Sequence, residues 1–315
     1  MSLMWNDLFK AGSVVDLNVK IWGARVKLRP EDLGIANSAE VHKVLLLGSN
    51  RLLPRKAFAE ILNHVHDAER SLRYYSVNFP FIHGARYVPE NNMEALLARL
   101  NEAQQKFNNA VNVFVRRYTA EKELMLPIIE KALKDASKSE EAARRAFERI
   151  QSEYPSSSEV KNRFQLTWSI YSVSGAASGS VAAAAAQEAE NVRSVVTDMV
   201  KQLRDELLDQ TQKIISQINR GGRVQARTAE ATTQLLDRLD SLNVLGDQVL
   251  TQQINMLRKA LSSWEDNKAP DGANKGLEAI KQELSASVDK AVADAEKVLT
   301  GLGRRKLTIV KKEVR

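Results

Sequence analysis

The side chains with the widest chemical repertoire are four histidines, and two of them, His64 and His66, lie close together in the run LNHVHDAE with Glu60 and Asp67 nearby. Helical metal ligands share a face at a spacing of four; at a spacing of two they point about 200° apart. Glu60 and His64 have the right separation, but one such pair is a weak signal, and His42 and His83 are remote in sequence. Surface or packing roles are expected for all four. Phosphate cradles are equally thin. LLLGSNR places a glycine after an apolar run and GLGRRK holds two glycines, yet neither a Walker loop nor a GxGxxG fingerprint is present. Glu140–Glu141 and Asp205–Glu206 are adjacent pairs on helical segments, and adjacent side chains do not converge. No serine sits in a glycine-flanked elbow. The absence of cysteine excludes disulfides, thiolate metal sites and cysteine nucleophiles. The expectation is a non-enzymatic protein with no cofactor.

The densest charge lies at the C-terminus. GRRKLTIVKKEVR carries Arg304, Arg305, Lys306, Lys311, Lys312 and Arg315 against one acid, Glu313, which supplies +5 of the net +7. Six cations could contact phosphates with salt-dependent, sequence-blind affinity. Leu307, Ile309 and Val310 within the run read equally as a strand that docks on a sheet edge, in this chain or another. A strand, a nucleic-acid arm and a disordered tail all remain open on these residues.

Composition says what frame carries them. Charged residues are 27% and aromatics 6%, with 14 glycines and 7 prolines in 315 residues, a long-helix composition. Met93, Leu96, Leu100, Ala103, Phe107, Ala110 and Phe114 step by three and four, a heptad seam, with Asn92 as a cap and Pro127 as a kink or restart. A weaker stripe follows through Ile129, Ala132, Ala136, Ala143, Phe147, Ile150 and Tyr154, and Ser158 could cap a short continuation. Val192, Val196, Met199, Leu203, Leu207, Ile214 and Ile218 form another stripe, with Gln210 where an apolar residue is expected and a break at Gly221–Gly222. Leu235 to Trp264 reads as one further stripe, and Leu277 to Leu299 as the last helix, stopped at Gly301 and Gly303. Residues 41–72 carry helical signals, with Phe58, Ile61, Leu62, Val65 and Leu72 on one side.

Extended structure is expected in three places. Residues 14–28 alternate, with Val15, Leu17, Val19 and Ile21 on one side, a turn or bulge at Gly23 and a helix start at Pro30. Residues 75–88 are broken by Pro80, with Pro89 following. FQLTWSIYSV alternates Phe164, Leu166, Trp168 and Ile170 against polar residues. That last strand opens an uncharged stretch reaching Gln187, which also raises a membrane reading. Alanine, serine and glycine contribute little transfer energy, so the stretch divides better into strand, connector SGAASGS and the helical start VAAAAAQ. No run reaches the roughly 18 strongly apolar residues of a membrane span, and MSLMWNDLFKAGS has no secretory pattern, so a cytoplasmic protein is expected.

LNVKIWGARVKLRPEDLG near the start, GARYVPE at 84–90 and FQLTW at 164–168 together resemble a bacterial family defined only as a domain of unknown function. The likeness covers most of residues 14–175. It implies a mobile-element protein of plasmids, integrative elements and phages, encoded near AAA+ ATPases of the MoxR or CobS-like type and von Willebrand factor A proteins. The family carries no catalytic residues to transfer.

The fold expected is α+β and strongly α-dominated: an elongated antiparallel helical bundle or coiled coil with a small sheet at one end. Its segments are an N-terminal α/β region (1–90), a long helical segment kinked near Pro127 (91–160), a returning strand (164–174), a C-terminal bundle (178–303) and the basic tail (304–315). The function expected is a structural or adaptor component working with an AAA+ ATPase or von Willebrand factor A protein, with homo-oligomers open. The alternatives are a membrane-active, pore-forming-like protein and a nucleic-acid binder using the tail.

Overall fold

The computed structural model describes residues 12–27, 29, 49–79, 82–137, 139–176, 182–221, 224–244, 246–264, 272–300 and 306–312. Among them the order is β1 (Gly12–Lys20), β2 (Arg25–Lys27), β3 (Ser49–Arg51), a 3-10 turn (Arg55–Phe58), α1 (Ala59–Tyr74), β4 (Val77–Asn78), β5 (Arg86–Pro89), α2 (Glu90–Ala136), α3 (Glu140–Ser152), α4 (Ser157–Lys161), β6 (Gln165–Ala176), α5 (Ala182–Gly221), α6 (Ala226–Leu242), α7 (Gln248–Ser262), α8 (Ala273–Thr300) and β7 (Lys306–Lys312). The fold is α+β and dominated by helix. The chain makes two compact units, one of residues 1–17, 70–98 and 168–315, the other of residues 18–69 and 99–167.

The first unit holds a five-stranded sheet in the order β4-β5-β1-β6-β7. β1 and β5 run antiparallel, with Gly12 opposite Pro89 and Val14 opposite Tyr87. A Cβ at Gly12 would lie 2.4 Å from the Val88 carbonyl oxygen and 2.6 Å from the Tyr87 ring, so only glycine fits that crossing. Val14 and Val15 are both buried, the signature of an interior strand covered on two faces. The expected one-sided alternation also fails further along: the last three residues of β1 are exposed, Val19 included, while Trp22, on the opposite parity, is buried.

Residues 25–27 leave this sheet and pair with β3 in the second unit. The residue with positive φ at the turn is Ala24 (φ 42°), not Gly23. Ala24 keeps its methyl buried, and its carbonyl accepts from the Leu52 N–H at 2.8 Å. β3 also breaks the helix expected over 41–72, so helix begins only after Pro54. The start expected at Pro30 lies outside the described residues.

β6 is the strand that alternation predicts, but it continues through Ser174, Gly175 and Ala176. Those residues were expected to begin a connector. They stay extended because they pair with Thr308, Leu307 and Lys306 of β7. The C-terminal run is therefore an edge strand of the chain's own sheet along Lys306–Lys312.

Helices α5 to α8 form an antiparallel bundle, and polar pairs give its direction. Glu206, Gln210 and Gln217 of α5 meet Arg238, Thr232 and Thr228 of α6 in reverse order. Arg258 of α7 reaches Asp237 and Asp240 of α6. Arg204 and Asn219 of α5 meet Ser287 and Asn274 of α8. One apolar core runs from Val14, Val77, Phe79 and Tyr87 of the sheet region into Met199, Leu203, Leu207 and Ile214 of α5, and on to Leu236, Ile254 and Leu284. Gln210 occupies an apolar position of the stripe because it donates to Thr232, which is itself fully buried. The single stripe expected over 235–264 is two helices. Gly246, at φ 62°, turns the chain, and Asp247 caps α7 by accepting from the Val249 and Leu250 N–H groups at 3.1 and 3.3 Å.

The same carboxylate anchors the bundle. Arg204 of α5, 2% exposed, donates to both oxygens of Asp247 at 2.7 and 2.9 Å and to the Ser287 carbonyl of α8. Arg204→Met should cost about 3–5 kcal/mol in denaturant unfolding, because Asp247 is left charged and unpaired in the core. Arg204→Met/Asp247→Asn should recover most of that loss, since asparagine still caps α7. A single-variant cost below about 1 kcal/mol would refute this role.

Candidate functional site

The residues singled out by spacing fall in three places. Leu96, Leu100, Phe107 and Phe114 of the seam are buried and Met93 is half-buried, so the seam is consumed within one chain. Phe164, Leu166 and Ile170 flank or lie in β6 and are buried, with Trp168 half-buried in the same strand. Lys306, Lys311 and Lys312 lie on β7, while Arg304, Arg305 and Arg315 are outside the described residues. The described histidines, His64, His66 and His83, form no metal-binding group. His64 Nδ1 is 3.6 Å from Asp67 without a hydrogen bond, His66 and His83 are exposed, and His42 is outside the described residues. Among the described residues no group of three His, Asp or Glu could hold a metal, and no helix is long and apolar enough to cross a membrane.

Two arginines of the first unit serve the backbone. Arg238 of α6 donates to the carbonyls of Tyr74 and Arg73 at 2.6 and 3.0 Å, capping the last turn of α1, and pairs with Glu206. Arg86 of β5 donates to Ser76 Oγ at 2.6 Å, to the Ser76 carbonyl at 3.1 Å and to Asn78. Burial, then the neighbouring Arg238, lowers its pKa to about 10. Asn92, expected as a cap, is buried inside α2 and donates to Ser241 Oγ of α6 at 3.2 Å. A polar groove of about 490 Å³ beside the α5–α6 turn is lined by Lys213, Arg220 and Arg227, with Gln217 donating to Thr228 at 2.9 Å. Its arginines are exposed and Lys213 pairs with Asp209, so it can hold an anion only loosely.

The second unit fixes the outer half of α2. Phe114 packs on Phe58 and Phe164 with ring centroids at 5.1 and 5.5 Å, and Tyr118 packs on Trp22 at 5.8 Å. Tyr118 Oη donates to the Pro155 carbonyl at 2.8 Å, and Tyr154 Oη to the Leu52 carbonyl at 2.6 Å. Ser139 caps α3, and Ser156 with Glu159 makes the capping box of α4; the cap expected at Ser158 is a helical residue. The buried stripe near the end of α2 is Ile129 and Leu133, so the expected Ala132 and Ala136 are on the exposed side. The helix runs unbroken through Pro127.

With that inner face anchored, α2 presents Leu124 and Ile128 outward at 66% and 60% exposure. They stand one turn apart with exposed Pro127 beside them. Leu124 and Ile128 therefore make an exposed apolar pair on an anchored helix. Sequence reasoning missed this face. Its signal was the heptad spacing itself, which continues beyond Phe114 at 117, 121, 124, 128, 131 and 135.

Residues 10–281 match the family model described as Protein of unknown function (DUF3150). The match extends past the three resembling segments, across α5, α6 and α7 and into α8. No curated protein and no solved structure matches the chain.

The two buried tyrosines of the second unit predict a pH dependence. Burial pushes the hydroxyls of Tyr118 and Tyr154 up to about 12. Below about pH 10 both states are neutral and the contribution is complete; above it the unfolded chain ionises first. Urea midpoints should therefore fall as pH rises from about 10 to about 12, and Tyr118→Phe/Tyr154→Phe should flatten that fall. Equal slopes in the two proteins would refute the assignment.

Proposed function

We propose that this chain, which belongs to the DUF3150 family, is a non-catalytic adaptor or structural subunit of a multiprotein assembly. The observation that carries the reading is the exposed Leu124–Ile128 pair on a helix whose other face is packed. In the first unit, Arg204, Arg238 and Arg86 bind carboxylates, amides and backbone carbonyls of their own fold, which supports a role in holding shape. The family resemblance supplies the kind of assembly: a bacterial mobile-element machine driven by an AAA+ ATPase of the MoxR or CobS-like type, with a von Willebrand factor A protein as a further partner. Light scattering of the full chain with and without such an ATPase should show a complex heavier than either component. A chain that stays an inert monomer in both conditions overturns the reading.

Nucleic-acid binding is the second reading, favoured by Lys306, Lys311 and Lys312 on an edge strand. Changing the three lysines to alanine should weaken duplex binding and reduce its salt slope by about 3. Unchanged affinity and slope would remove nucleic acid as a ligand of this strand.

A further inference from the structure

We infer that the outer face of α2 docks antiparallel on the same face of a second copy of this chain. The inference deepens the adaptor reading and rests on it. Six residues make the face: Arg117, Glu121, Leu124, Ile128, Lys131 and Asp135, spaced by four, three, four, three and four. Five are exposed and Glu121 is half-buried. Their order is plus, minus, apolar, apolar, plus, minus. In an antiparallel pair centred between Leu124 and Ile128, Leu124 meets Ile128 of the second copy, Glu121 meets Lys131 and Arg117 meets Asp135. Every charged position faces its opposite, and two-fold symmetry repeats each pair. In a parallel in-register pair every charge would face its like, so the pattern selects direction as well as partner.

Two further observations favour a second copy. First, none of the four charged residues has an ion-pair or hydrogen-bond partner among the described residues, whereas Lys134 on the rim is already paired with Glu130 at 2.8 Å. Second, the face continues the heptad of the buried seam from Met93 to Phe114 without a change of register. A straight helix has 3.6 residues per turn, so a strict heptad drifts by about 20° each repeat. Burial accordingly leaves the heptad after Phe114 and passes to Tyr118, Ile129 and Leu133. The heptad residues from 117 onward emerge on the outside, still spaced for knobs-into-holes contact with another helix. Ala120 and Ala132, both exposed, flank the face on either side and leave room for close approach.

Sedimentation velocity of the full chain over a wide concentration range tests the docking. The wild type should pass from monomer to dimer as concentration rises. Leu124→Lys/Ile128→Lys, with unchanged circular dichroism, should remain monomeric. Glu121→Lys places lysine opposite lysine at both ends and should weaken dimerisation by about tenfold or more. Glu121→Lys/Lys131→Glu restores complementarity and should return the dissociation constant to within about threefold of wild type. A wild type that is monomeric at all concentrations, or a double variant no better than the single, overturns the inference. If that monomer still joins the ATPase, the adaptor reading survives the loss; a dimer that joins no ATPase removes the adaptor reading and leaves the docking intact.

Discussion

The bundle depends on one buried ion pair. Arg204 and Asp247 are 2% and 8% exposed at their side chains, and taking both from water costs several kcal/mol per ion before their attraction is counted. That cost is offset only if the hydrogen bonds are complete. Arg204 uses both carboxylate oxygens and the Ser287 carbonyl, and Asp247 also accepts two N–H groups at the start of α7. Asn243 then fixes Asp247 itself, accepting its N–H at 2.8 Å and donating to its carbonyl at 3.1 Å. The pair forms only when α5, the α6–α7 turn and α8 are in register. A slip of one residue in α5 would rotate the guanidinium by about 100° away from Asp247 and the Ser287 carbonyl. Apolar packing supplies most of the stabilisation in such a core, but it tolerates sliding; the ion pair does not.

The other charged groups follow the same logic. A helix ends with unpaired carbonyls, and Arg238 meets those of α1 from a neighbouring helix. Arg86 serves the backbone at Ser76, between α1 and β4. An arginine fixed by its own fold is poorly placed to meet a ligand. The basic composition that invites thoughts of phosphate binding is thus partly spent on joining elements within the first unit.

What could be read from the sequence follows physical lines. Long helices were legible because their apolar periods repeat many times, and β6 because its alternation is strict. Gly221–Gly222 was legible as a break because two glycines cannot be afforded mid-helix. The turn at 243–247 was not, since its leucines keep helical spacing across it and only Gly246 and the capping Asp247 mark the end. Nor was the departure of β2 to pair with β3, because pairing between segments 24 residues apart leaves no trace in local alternation. The tail remained ambiguous for a similar reason: a charged run with alternate apolar residues suits water or a sheet edge, and only the presence of β6 beside it decides. No candidate site could be read from residue types, because among the described residues no group of histidines and acids converges on a metal-binding point. The candidate face on α2 was present in plain spacing but was read as ending at Phe114.

That face shows how one repeat can serve two surfaces. A strict heptad is usually taken as a single seam, since supercoiling keeps it turned toward one partner. α2 does not keep its seam inward to its end. Its core contacts after Phe114 begin with large aromatic rings, Phe114 and Tyr118 against Trp22, Phe58 and Phe164, and pass to Ile129 and Leu133 off the heptad. Their bulk and the hydrogen bond of Tyr118 hold the helix from one side without demanding knobs-into-holes repeats. Freed from the core, the heptad positions after Phe114 carry charges at the ends and branched apolar residues at the middle. Such a composition is unsuited to burial inside one chain, where Arg117 and Asp135 would each need a partner. It suits a surface whose partner brings the opposite charge at each position, and the reversed copy of the same six residues meets that condition.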